Sequence, residues 1–267
     1  MRSRYDENKQ GSASLEGLVR DVLAMAGEME RQERLHHGTS ENDFRSIARR
    51  DYGGCLKLNF SRREFSGILE AFKTAVPKLD REQFKLMPLP RLANVASSLG
   101  LKFRADPFDR PGGAALRGFY VATKALKQPL MCLNTAHHRK AINSAFWHEM
   151  GHHLTARLLS PQEGSTALSF GSDFDEHLND PRELAADMLV SLVCYSHSAA
   201  KRLFGPLLRK DSAENIHMVV SAGRTHLDSV WGFNFEKQVP ATQNLHYLAG
   251  TIHFARLRLA LLARYGI

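Results

Sequence analysis

Between Arg62 and Lys78 the apolar residues Phe65, Ile68, Leu69, Phe72 and Val76 recur at three- and four-residue steps, the pattern of one helix face turned to a core. Leu15, Leu18, Val19, Val22, Leu23, Met25 and Met29 repeat the stepping upstream and predict an earlier helix from Ser14 to about Leu35. Pro77, then Pro88 and Pro90, close the helix that begins at Arg62. Leu92, Val95, Ala96 and Leu99 predict a short helix stopped by Gly100. The texture then changes. Leu101–Phe108, Leu116–Ala122 and Leu130–Asn134 read as strands, separated by Asp109-Arg110-Pro111-Gly112-Gly113 and by Lys124–Pro129, both rich in turn formers.

From Thr135 to Ser160 one helix is expected, with Asn134 as its N-cap and Pro161 as its stop. The segment Pro161–Asp180 reads as a loop. A second helix opens on Asp180 as N-cap, Pro181 in the first helical position and Glu183 at the third. Beyond Ser198 the chain reads as mostly helical, ending in an amphipathic segment from Asn244 to Tyr265. These elements predict an α+β fold, mainly helical, with a small three-stranded sheet packed against the helix of Thr135–Ser160. Three regions are expected: a helical 1–85 whose start is loose, a central domain 86–198, and a helical 199–267.

Composition narrows the class further. At 267 residues with 43% hydrophobic and 24% charged positions the chain can bury its own core and is not disordered throughout. Its apolar runs fall far short of the roughly 20 residues that cross a bilayer, and Met1–Gln10 is not followed by the apolar stretch of a secretory signal. Cys55, Cys132 and Cys194 form no Cys-x-x-Cys pair, the usage of a reducing compartment, and each is expected to be a small buried hydrophobe. A cytoplasmic protein without a membrane partner is therefore expected. The formal charge of +8 suits an acidic or polyanionic partner, but no basic block interleaved with aromatics marks a nucleic-acid track.

The chemistry gathers at His148-Glu149-Met150-Gly151-His152. At 3.6 residues per turn His148 and His152 lie about 40° apart on one face and about 6 Å apart along the axis, so both imidazoles reach one metal ion. Glu149, displaced by about 100°, borders that face and can hold a water there. A catalytic zinc needs a third protein ligand and an open position. Glu183, in the Glu183-Leu184-Ala185-Ala186-Asp187 helix, is the candidate ligand. Asp187, one turn on, can accept the spare imidazole N–H of a ligand histidine. The competing readings are a capping-box carboxylate for Glu183 and a solvated helix acid for Asp187. His153 points away and is expected to be structural or at the surface, and His137 and His138 are expected to be exposed. His217, His226, His246, Tyr247 and His253 could stabilise an oxyanion, yet no spacing ties them to the metal. Asp173, Asp175, Glu176 and Asp180 form an acidic patch, either a solvated loop or a lip that draws in a basic substrate segment.

From about Leu89 to Ser196 the chain resembles the ImmA/IrrE-type metallopeptidases, in the helix Leu92–Leu99 before a strand, Arg117-Gly118-Phe119-Tyr120, the strand ending Leu133-Asn134, Arg139, His148–His152 and Glu183–Asp187. The resemblance implies a gluzincin-like zinc site with His148, His152 and Glu183 as ligands and Glu149 as general base. Members often carry Asn where this chain has Asp187. It also implies a protein substrate, in characterised members a DNA-binding repressor of the helix-turn-helix class. The first 80 and last 70 residues lie outside it. The expectation is a zinc-dependent endopeptidase. The alternative is a regulatory or toxin–antitoxin component that keeps the zinc fold and binds a partner without cutting it.

Overall fold

The computed structural model describes residues 58, 60–79, 81, 84–108, 117–123, 126–159, 180–208, 218, 222–223, 225–227, 229 and 241–267, with only the backbone of 241–252. The expected helix at Ser14–Leu35, Cys55, His217 and the acids Asp173, Asp175 and Glu176 lie outside the described residues, as do the side chains of His246 and Tyr247.

Helix α1, Arg62–Ala75, starts at a capping box: Ser61 Oγ accepts from the Glu64 N–H at 3.2 Å and Glu64 Oε2 accepts from the Ser61 N–H at 2.8 Å. It buries Phe65, Ile68 and Phe72, the stripe read from the sequence. Helix α2, Leu89–Ser98, follows Pro88 with Pro90 in its first turn, where a missing N–H costs nothing. Gly100, at φ 80°, turns the chain out of it, a conformation that favours glycine.

Three strands follow, β1 at Lys102–Asp106, β2 at Gly118–Val121 and β3 at Leu130–Asn134. They form one sheet in the order β1-β3-β2, with β1 parallel to β3 and β2 antiparallel to it. All nine residues of β2 and β3 are buried. β1 and β2 are shorter than expected: beyond β1 the Phe108 N–H turns to Asn134 Oδ1 at 3.1 Å, and next to β2 the Arg117 carbonyl accepts from the Asn134 N–H at 2.9 Å, one step past the Gly118–Leu133 pair.

Helix α3 spans Arg139–Thr155 and is capped by His138, whose Nδ1 accepts from the Ala141 N–H at 3.3 Å. The expected cap at Asn134 and start at Thr135 are thus corrected: Asn134 is buried, and its Oδ1 serves the turn between β3 and α3 by also accepting from the Ala136 N–H at 3.0 Å. His138, expected to be exposed, is half-buried, and burial followed by the charge of Arg117 depresses its pKa to about 4. A neutral imidazole is the form that can accept at a helix start.

Helix α4, Pro181–Cys194, opens as read, with Asp180 as N-cap and Pro181 first, and every residue from Glu183 to Cys194 is buried. Helix α5, His197–Phe204, and a short 3-10 turn at Gly205–Leu207 come next, and helix α6 runs Ala241–Tyr265. The fold is α+β, mostly helical with one small mixed sheet, and α3 packs on β2 and β3. One hydrophobic cluster joins Phe65, Ile68 and Phe72 of α1, Phe146 and Met150 of α3, Leu189 of α4 and Leu257 and Leu261 of α6. Cys132 and Cys194 sit buried within the structure, burial pushing both thiols up to about 12. Among the described residues no helix is long and apolar enough to cross a membrane.

Candidate metal centre

Two helices meet at the site because both are small where they cross. A Cβ on Gly151 of α3 would stand 2.6 Å from Ala186 Cα and 3.1 Å from the Ala186 carbonyl oxygen of α4. Real carbon contacts lie near 3.5–4.0 Å, so only glycine allows this approach. It brings the α4 face that carries Glu183 and Asp187 onto the α3 face that carries His148 and His152.

Three donor atoms close a triangle there. His148 Nε2 and His152 Nε2 are 3.1 Å apart, His148 Nε2 is 3.2 Å from Glu183 Oε2, and His152 Nε2 is 3.3 Å from Glu183 Oε2. A tetrahedral ion with bonds of about 2.0–2.1 Å holds its ligand atoms about 3.3–3.4 Å apart, so the triangle is already one face of such a site. The donor set of two imidazoles and a carboxylate fits a divalent metal, and the group could hold one ion.

Asp187 sets the tautomer. His148 Nδ1 lies 2.8 Å from Asp187 Oδ1, and an ionised carboxylate only accepts, so Nδ1 carries a hydrogen, and in the neutral form of the ring Nε2 is the bare nitrogen toward the triangle. Asp187 is 4% exposed, which removes the reading of it as a solvated acid. Its second oxygen is held by His253 of α6, with Nε2 at 2.7 Å from Oδ2. Glu183 Oε2 faces the two imidazoles rather than only its own helix start, where Asp180 is the cap through its contact with the Arg182 N–H at 2.8 Å. Asp180 is also ion-paired with Arg182, so this member of the expected acidic patch is tied to its own helix.

The charges on the ring nitrogens follow from these contacts. Burial works to lower the pKa of His148, but hydrogen bonds to Asp187 and Glu183 outweigh it and hold it well above the ordinary histidine value. Burial likewise opposes ionisation of Glu183, while the bonds to His148 and His152 hold its carboxyl far below the usual range.

Glu149, next to His148 on α3, is buried, and its charge contributes to the raised pKa of His148. His153 is structural, as read: its Nε2 lies 3.1 Å from the Leu99 carbonyl, which it donates to, leaving Nδ1 to accept from the Tyr120 hydroxyl at 3.2 Å. The α3 helix is thereby pinned to the α2–β1 corner and to β2.

No family model matches the chain. No curated protein and no solved structure shows significant similarity to it either.

The sequence reading missed two contributors. Gly151 stands inside the His148–His152 motif, but nothing in that motif shows that a second helix backbone will press against it. His253 has no sequence spacing that ties it to His148 or His152, and it reaches the site through Asp187. Its signal is positional: His253 shares a face with Leu257 and Leu261, both fully buried, and a polar ring on an apolar stripe must find a partner.

Proposed function

We propose that the chain is a zinc-dependent endopeptidase of the ImmA/IrrE type, acting on a partner protein such as a DNA-binding repressor of the helix-turn-helix class. The observation that carries this reading is the closed triangle of His148 Nε2, His152 Nε2 and Glu183 Oε2 with Glu149 adjoining it on α3. His148, His152 and Glu183 would hold the ion, leaving a fourth position to the substrate side; His148, 16% exposed at its side chain, is the most open of the three.

Zinc, when bound, supplies Lewis acidity that activates a water at neutral pH and polarises a peptide carbonyl. The chain's residues do the rest. Glu149 takes the proton of the attacking water on its carboxylate and delivers it to the nitrogen of the leaving amine. Asp187 keeps His148 in the tautomer that presents Nε2, and His152 and Glu183 fix the remaining corners of the triangle.

A regulatory zinc fold without turnover would have no use for Glu149 as a base, and a structural zinc would more often be closed by a fourth protein ligand. Glu149→Gln separates the two readings. The amide still hydrogen-bonds water but accepts no proton, so zinc stoichiometry is expected to stay at the parental level while cleavage falls by about 100-fold or more. Profiling of new protein N-termini in a soluble proteome treated with each form gives the readout. Identical sets of termini from parent and variant at equal rate defeat the endopeptidase reading.

A further inference from the structure

Helix α6 meets α4 along a seam of polar contacts. Asp187 and Ser191, four residues apart, share one face of α4, and Tyr195 is the residue that caps its C-terminal end. Asp187 Oδ2 accepts from His253 Nε2 at 2.7 Å, Ser191 Oγ donates to the Phe254 carbonyl at 3.0 Å, and Arg258 Nε donates to the Tyr195 carbonyl at 2.8 Å. His253, Ser191, Tyr195 and Arg258 are all buried, so each contact replaces water that cannot reach it. Three contacts key α6 to α4 and its C-terminal cap in one register. The first of them lands on the carboxylate that orients a metal-binding histidine.

The χ2 torsion of an aspartate is broad, so a single bond from His148 would leave the Asp187 carboxylate free to swing about Cβ–Cγ. A second donor on the opposite oxygen stops that rotation. We propose that His253 is a positioning residue of the metal centre: it holds Asp187 Oδ2, fixes the carboxylate plane so that Oδ1 meets His148 Nδ1, and thereby aims His148 Nε2 at the ion. The C-terminal helix is then a working part of a site whose ligands all lie on α3 and α4. This inference rests on the reading of the triangle as a zinc site.

The test measures zinc affinity by competition with a chromophoric chelator, and the visible spectrum of the cobalt-loaded protein, in His253→Phe, His253→Gln, Asp187→Ala and the His253→Phe/Asp187→Ala double variant. His253→Phe fills the space without a donor and is expected to weaken zinc binding about tenfold, the lower end for an outer partner of a ligand. His253→Gln offers an N–H at similar reach and is expected to restore most of that affinity and the parental cobalt spectrum. In the Asp187→Ala background the phenylalanine substitution is expected to add less than about twofold, since both changes break one chain.

Parental affinity in His253→Phe overturns the proposal, as does a tenfold loss that persists in the Asp187→Ala background or that glutamine does not restore. Should His253→Phe fail to fold, zinc-loaded parent labelled with ¹⁵N-histidine decides: slowly exchanging N–H signals from both His148 Nδ1 and His253 Nε2 support the proposal, and loss of the second overturns it. A parental protein that binds no zinc defeats the metal-site reading itself.

Discussion

Gly151→Ala sets two local effects against each other, and the structure decides which wins. In an exposed helix interior the change would stabilise the protein by about 1 kcal/mol, because alanine is the better helix former. Here the new methyl would sit 2.6 Å from Ala186 Cα, 3.1 Å from the Ala186 carbonyl oxygen and 3.2 Å from Ala186 Cβ. Against a normal carbon contact of about 3.5–4.0 Å the shortfall is roughly 1 Å. None of the opposing atoms belongs to a flexible side-chain end, so α3 and α4 must part. Overpacking of this kind costs about 1–3 kcal/mol, which outweighs the propensity gain over most of that range.

The same displacement acts on the candidate metal centre. Glu183 travels with α4, so its edges to His148 and His152, now 3.2 and 3.3 Å, would stretch toward about 4 Å, beyond the roughly 3.4 Å that a tetrahedral ion spans. Ligand distances at such sites are held within about 0.2 Å, and a fall in zinc affinity on the order of 10- to 100-fold is expected. Urea unfolding of the metal-free variant and chelator competition on the zinc form measure the two effects. A variant more stable than its parent with unchanged zinc affinity would refute the close crossing and the argument built on it.

Glu183→Ala is expected to weaken zinc retention more than Asp187→Ala, whose loss should be about 10- to 100-fold without unfolding; chelator competition ranks them, and the reverse order would mean that ligand and orienting residue have been exchanged. Zinc-induced thermal stabilisation should grow as pH rises from below 6.5. The raised pKa of His148 stabilises the metal-free fold fully below the ordinary value of 6.5 and loses that contribution as pH climbs through the folded value, while the same proton ceases to compete with the ion. The depressed pKa of Glu183 works at the other end, stabilising above the ordinary 4.5 and losing that as pH falls. A melting-temperature gain from zinc that stays flat across this range would count against His148 as a ligand.

What the sequence showed is what repeats along a single element. The stripe Phe65, Ile68 and Phe72 reappears as the buried face of α1, the Asp180-Pro181 start of α4 holds to the residue, and β3 has the expected bounds. The pairing of His148 with His152 is a property of helical spacing alone, as is that of Glu183 with Asp187. The errors fall where a tertiary contact overrules a local signal. Asn134 has the chemistry of a helix cap, yet β3 and the Phe108 corner claim its side chain, and α3 starts later on a histidine whose capping depends on burial keeping it neutral.

The candidate metal centre lies on both sides of this divide. Its candidate residues are legible because each pair, His148 with His152 and Glu183 with Asp187, belongs to one helix, but their convergence depends on residues that carry no metal chemistry. Gly151 sets how near α4 comes, and that distance is fixed by the backbone of Ala186, a residue 35 positions away. His253 reaches Asp187 across 66 positions, through a helix whose place is set by Ser191, Arg258 and the shared core. Outside the region 86–198 lie the second donor to Asp187 and the α1 and α6 side chains that share a core with α3 and α4. α1 and α6, the described helices outside that region, pack into the same cluster as the helices that bear the candidate ligands, because two helices pressed together at a glycine still have outer faces to bury.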